Sequence, residues 1–192
     1  MSLIVLENLL DASKLTALGL TKSQSSCDGA TLRKAHYELG EATAEHIANS
    51  YVSGTSSYAV IILMRAGLNF GLGVADTLEY LDNQVSVHFA EKGGLDQDDL
   101  DALSRKKVVV VDAVVNTGKS VFKVLNQLEQ SQANDAVVAT IVMPETARFL
   151  EDKLNIISVR VSERKYKGAK VKTVAGGIGP DTGDRLFGTN LY

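Results

Sequence analysis

Three runs in this chain are too apolar to be strands with one wet face: YAVIILM (58–64), KVVVVDAV (107–114) and DAVVATIVM (135–143); NIISVRVS (155–162) reads as a further strand. A strand exposed on one side alternates apolar and polar residues, whereas these runs are apolar at successive positions, as strands covered on both faces are. A fifth, more mixed run, VSVHFA (85–90), has the same β-branched character. Stretches with helical periodicity separate them. GATLRKAHYELGEATAEHIANS (29–50) is rich in Ala and Glu with few breakers, and a turn or helix falls around 67–80. SVFKVLNQLEQS, from Ser120, places Val121, Val124, Leu125 and Leu128 on one face. PETARFLEDKL offers Pro at a first helical position and acids in the first turn. Apolar strands alternating with helices predict an α/β fold, a mainly parallel twisted sheet flanked by helices. The 192 residues fit one domain, 1–192, without repeats or linkers. Residues 91–106 (EKGGLDQDDLDALSRK) are polar and acidic and predict a surface loop.

Charge and cysteine usage narrow the function. A formal charge of −3 argues against a general nucleic-acid or membrane-surface binder, which needs a basic excess. The basic stretch ERKYKGAKVK (163–172) is short, and it predicts a solvated hairpin or an oligomer contact. The single cysteine, Cys27, forms no intrachain disulfide and fits a reducing compartment. The opening MSLIVLENLLDASKL lacks a basic region and is broken by Glu7 and Asp11, so it does not predict a signal peptide; the expected location is cytoplasmic. His36, His46 and His88 have no metal-ligand spacing and predict structural roles.

Ligands of open α/β sheets bind beyond the carboxyl ends of the strands. Three such loops stand out here: MRAGLNFG (64–71), DAVVNTGKS (112–120) and AGGIGPDTGDRLFGT (175–189). The second ends like a Walker A loop, but Ala113 stands where that loop needs its first glycine. What remains is still suited to a phosphate. Asn116, Thr117, Gly118, Lys119 and Ser120 offer successive N–H groups running into a helix start. Asp112 at the strand end is placed to accept hydrogen bonds from sugar hydroxyls. An acid beside an anion cradle predicts a sugar phosphate; a capping Asp before an ordinary helix is the plain alternative.

A strand-terminal Asp followed by N-T-G-K-S resembles the PRPP signature of type I phosphoribosyltransferases. The single acid, with Ala113 beside it, resembles the uracil phosphoribosyltransferases within that family. ILMRAGL (62–68) is similar to their I-L-R-A-G-L segment, and GGIGPDTGDRLFGT (176–189) to their C-terminal motif. Thr31 and Arg33 match a Thr-x-x-Phe-Arg segment on their early helix. The resemblance implies the type I fold with a small C-terminal hood. It implies that Asp112 holds the ribose of PRPP, and that Asn116 to Ser120 cradle its 5′-phosphate. Arg65, with the backbone of Ala66 and Gly67, would hold the pyrophosphate; Arg65 and Asp112 are then the catalytic pair. Val174, Gly179, Asp181 and Thr182 would read the base. Mg²⁺ would come bound mainly through PRPP, with no dedicated protein ligands, and a homodimer or higher oligomer is expected. The implied reaction makes UMP and pyrophosphate from uracil and PRPP.

Departures from the pattern keep other readings open. Pro180 and a one-residue insertion alter the C-terminal motif, Thr173 replaces an aromatic, and Lys119 replaces a glycine as in enzymes of 6-oxopurines. Where the family carries a mobile lid with an arginine, 91–106 supplies only Lys92 and Arg105. A phosphoribosyltransferase of a purine or other base, or a non-catalytic PRPP-binding regulator, therefore stand as alternatives.

Overall fold

In the computed structural model, residues 2–51, 56–91, 94–129, 136–163 and 181–189 are described. Six parallel strands form one sheet: β1 (Leu3–Val5), β2 (Ser57–Leu63), β3 (Gln84–Ala90), β4 (Lys107–Val114), β5 (Val137–Pro144) and β6 (Asn155–Ser162). Their spatial order is β1-β6-β5-β4-β2-β3. From β2 the chain moves outward to β3, then returns to β4 and proceeds the other way through β5 and β6. The order therefore reverses between β2 and β4, which pair directly with Val60 opposite Val109 and Ile62 opposite Val111. In an open α/β sheet that reversal is where loops diverge and leave a crevice.

Alternate side chains of each strand serve two cores, which explains why the runs are apolar throughout. Tyr58, Val60 and Ile62 of β2 join one cluster with α1 (Ala12–Thr21), α2 (Gly29–Tyr51) and α3 (Leu68–Tyr80). Ala59, Ile61 and Leu63 join the other, beneath α5 (Lys119–Leu128). Val60, Ile61 and Ile62 are wholly buried, each worth about 1.5–3 kcal/mol over an exposed side chain. Helices α2 and α3 cross so closely that a methyl on Gly40 would overlap the Phe70 carbonyl, and one on Gly73 the Tyr37 carbonyl. No helix among the described residues is long and apolar enough to cross a membrane.

The fold class is as the apolar runs predict, with four differences in detail. The sixth strand, β1, pairs in parallel with β6 (Ile4 opposite Ile157), and α1 follows it; the opening segment is thus sheet edge and helix. Residues 91–106 are not simply a surface loop. They contain α4 (Gln97–Ala102), and Leu95 and Leu103 are buried in the second core. Third, the expected helix after β5 is a short 3₁₀ helix, Glu145–Leu150, and Pro144 is the last residue of β5 with extended backbone. Its buried residues, Ala147 and Leu150, are three apart, which matches three residues per turn. Finally, α5 begins one residue earlier than Ser120, at Lys119. Of the expected hood, the described part is a short helix, α6 (Thr182–Phe187), packed on α2.

Two of the histidines, His36 and His88, are buried in the fold. His36 is buried, and desolvation, with the Arg185 charge second, pushes its pKa down to about 3, so it is neutral. His88 bonds Ser86 through Nε2 (2.9 Å) and Asp99 of α4 through Nδ1 (2.8 Å).

Two glycine-to-alanine changes should move stability in opposite directions. Gly73→Ala should lower it by about 1–3 kcal/mol through overpacking at the α2–α3 crossing. Gly19→Ala, in α1 with open space at its Cβ position, should raise it by about 0.5–1 kcal/mol. Denaturant midpoints of both variants check the pair.

Candidate active site

At the β2–β4 reversal two loops leave the sheet side by side. The first, after β2, carries Met64, Arg65, Ala66 and Gly67 into α3; the Met64–Arg65 peptide bond is cis. The second, after β4, carries Val115 to Gly118 into α5. Gly67 sits where the first loop meets the end of β4. A Cβ there would lie 2.7 Å from the Leu63 carbonyl oxygen and 2.9 Å from that of Val111, so no larger residue fits without moving backbone. Its N–H donates to the Leu63 carbonyl at 3.1 Å, which makes the first loop a closed turn over the strand end. Gly118 has φ 72°, a left-handed conformation that suits glycine, and it caps the start of α5 without any side-chain cap on the first amides.

Between the loops and α6 lies a cleft of about 300 Å³. Arg65 and Ala66 line it from the first loop, beside Met64. Asp112, Val114 and Asn116 line it from β4 and the second loop. Asp181, Thr182 and Gly183 close it from the start of α6. Asp181 caps that helix, accepting from the N–H groups of Gly183 (2.8 Å) and Asp184 (3.3 Å).

The two charged residues from the strand ends are in opposite situations. Arg65 donates from Nη2 to Oδ1 of Asp184 at 3.1 Å and from Nη1 to Oγ1 of Thr189 at 3.4 Å. Asp112 has no such cation among the described residues. Its Oδ1 faces the Val114 N–H at 3.5 Å, a long contact. Burial pushes its carboxyl up to about 7, with the Asp181 charge adding to the rise and the amides of Val114 and Ala113 opposing it. A carboxylate held this way is short of donors and positive charge, and hydroxyls or a cation entering the cleft would supply them.

The geometry brings together Arg65, Ala66, Asp112, Asn116, Asp181 and Thr182, all named from sequence. Gly67 is buried beneath the cleft as a spacer. Of the remaining loop residues, Gly118 is buried and Thr117, Lys119 and Ser120 are exposed; none of them lines the cleft. Val174 and Gly179, with Thr173, Pro180 and Lys92, lie outside the described residues. Arg105 sits exposed in the turn before β4 with φ 63°, away from the cleft lining. Arg33 donates to the Leu186 carbonyl at 2.6 Å and so ties α2 to α6, and Thr31 is exposed. Sequence reasoning missed Asp184 and Thr189 as partners of Arg65. An arginine at a strand end calls for an acid, but Asp181 and Asp184 both stand in the third loop and nothing local in it singles out Asp184.

Comparison with known proteins bears on the family and the fold. The family model described as uracil phosphoribosyltransferase matches residues 29–189. A uracil phosphoribosyltransferase of Staphylococcus haemolyticus is 26% identical over 141 residues, 68% of this chain and 65% of that protein's length. Among solved structures, the AQ2163 protein of Aquifex aeolicus superposes with a TM-score of 0.70 at 16% identity, covering 99% of this chain and 100% of that one. A hypoxanthine-guanine phosphoribosyltransferase of Schistosoma mansoni, solved with IMP, gives 0.53 at 21% identity over 69% of this chain and 67% of that one. The two structures show that the fold is shared.

The raised pKa of Asp112 sets the sign of a pH dependence. Between its ordinary value of 3.8 and about 7 the folded state holds a proton that the unfolded state has released. Stability therefore falls as pH rises through that window and levels off above it. Asp112→Asn should remove this cost, giving a variant more stable than the parent at pH 8 by on the order of 1 kcal/mol after solvent screening. The gap should close toward pH 4 in thermal melts recorded across the range.

Proposed function

The chain belongs to the uracil phosphoribosyltransferase family, and on that premise we propose that it converts uracil and PRPP to UMP and pyrophosphate. The observation that carries the reading is the convergence of Arg65, Asp112 and Asn116, from separate loops, with Asp181 and Thr182 on one cleft at the strand-order reversal. Each residue has chemistry suited to one part of PRPP. Asp112, poor in donors, accepts hydrogen bonds from the ribose hydroxyls. Asn116 and the amides leading into α5 receive the 5′-phosphate, an anion at a helix start. Arg65 and the Ala66 amide hold the pyrophosphate, and the planar guanidinium offers paired donors to its oxygens. The base lies toward Asp181 and Thr182, with Val174 and Gly179 completing its pocket.

In the reaction the bond from C1 of ribose to the pyrophosphate oxygen breaks and a bond from C1 to a ring nitrogen of the base forms. The nitrogen's proton departs, and the transition state has oxocarbenium character. The residues contribute alignment of the two reactants and stabilisation of charge on the leaving pyrophosphate by Arg65. Mg²⁺ carried by PRPP would neutralise further charge there, and Asp112 and Asp181 are the acids it would face; the unmet carboxyl of Asp112 fits a cation. The protein would work in the cytoplasm as a homodimer or higher oligomer.

Pyrophosphate release with PRPP and Mg²⁺ against uracil, hypoxanthine, adenine and xanthine tests the reading. Turnover with uracil is expected, reduced about 100-fold or more in Asp112→Ala. Turnover with a purine alone would keep the mechanism and change the substrate. PRPP binding without turnover on any base would make the protein a PRPP sensor, and no PRPP binding would sink the assignment.

A further inference from the structure

We propose that Asp184 is a positioning residue that sets the guanidinium of Arg65 for the pyrophosphate group; the inference rests on the function proposed above. Arg65 and Asp184 meet across the cleft wall with unequal burial. The Arg65 side chain is 44% exposed and the Asp184 side chain 2%. Thr189 completes the unit: its hydroxyl donates to Asp184 Oδ1 at 2.7 Å and accepts from Arg65 Nη1 at 3.4 Å. Gly183 backs the group, since a Cβ there would lie 3.7 Å from Nη2 and 3.9 Å from Nε, in ordinary contact. Asp184 Oδ1 thus accepts two hydrogen bonds, and Oδ2 is buried without a hydrogen-bond partner. A buried carboxylate so placed has Arg65 as its bonded cation, and its charge acts where that guanidinium stands.

The plain alternative is a staple that fastens α6 to the body of the protein. Two other arginines already do that work. Arg33 holds the Leu186 carbonyl at 2.6 Å. Arg185, itself buried, donates to the carbonyls of Leu20 (3.2 Å), Thr21 (2.9 Å) and Cys27 (2.8 Å). Both lie on the side of α6 that faces α1 and α2, whereas Asp184 reaches the cleft loop. A guanidinium has five N–H donors. Asp184 and Thr189 take two and fix the plane, leaving the rest for an anion in the cleft that Arg65 lines. A ligand oxygen then meets donors already oriented, and the rotamer entropy of a long side chain is not lost on binding.

Calorimetric titration of PRPP with Mg²⁺ into the parent, Asp184→Asn, Arg65→Ala and the double variant tests this. Asn keeps an oxygen for Thr189 and nearly the shape of Asp, so melting curves serve as the folding control. Asp184→Asn should weaken PRPP by about tenfold or more, and in the Arg65→Ala background it should change affinity less than about twofold. Thr189→Val, a milder lesion, should weaken PRPP in the same direction and less, and carries the test if Asp184→Asn does not fold. Equal losses with and without Arg65, or parent-like binding by both single variants, would overturn the proposal. A parent protein that binds no PRPP would instead remove the functional reading, and this inference with it.

Discussion

The direct pairing of β2 with β4 is the constraint on which the site depends. It sets the two strand ends side by side, Ile62 opposite Val111, and so delivers Arg65 and Asp112 to one crevice. The loops must then nearly touch. Gly67 makes that possible, because even a methyl group there would meet the carbonyls of Leu63 and Val111. A bulkier residue would push the first loop off the end of β4 and widen the cleft by the width of a side chain. Gly67 is thus needed for packing, and through it the first loop sits close enough to the end of β4 for Arg65 and Asp112 to line one cleft.

Charge around the cleft is arranged unevenly. On α6, Oδ1 of Asp184 is met by Arg65 and Thr189, and Arg185 is met by the carbonyls of Thr21 and Cys27. Among the described residues Asp112 meets only the amides of Val114, at a long 3.5 Å, and Ala113, with a second acid, Asp181, nearby. Folding tolerates one poorly matched carboxyl when the rest of the sheet is as well buried as β2 and β4 are. The mismatch is located where a sugar and a cation would relieve it, which is how binding energy comes to be concentrated at a strand end.

Much of this was legible in the residues because double-sided burial leaves a plain trace. Runs such as YAVIIL of β2 and KVVVV of β4 have no polar face to disguise them, and the glycine, arginine and aspartate that follow interrupt them at the strand ends. What escaped has physical reasons too. The strand β1 is three residues long and half-buried, too short for periodicity to register. Leu95 and Leu103 are single apolar residues in an acidic segment, and only the tertiary contact shows that they anchor it. The turn after β5 looked helical by its acids and proline, yet buries residues at a spacing of three. The Arg65–Asp184 pair joins positions far apart in the chain, and no local pattern encodes such a partner.

The segment between β3 and β4 departs most from the family expectation, and its attachments say why. A mobile lid should have few ties to the sheet. Here His88 of β3 holds Asp99 of α4, and Lys106 donates to Ser86 at 2.9 Å, so both α4 and its exit are fixed to the edge strand. At the other end Gln127 of α5 bonds both the N–H and the carbonyl of Leu95, each at 3.0 Å. With Leu103 fully buried between these anchors, the described part of the segment is built as a fixed flap over the second core. None of the described residues of this segment lines the cleft that Arg65 lines.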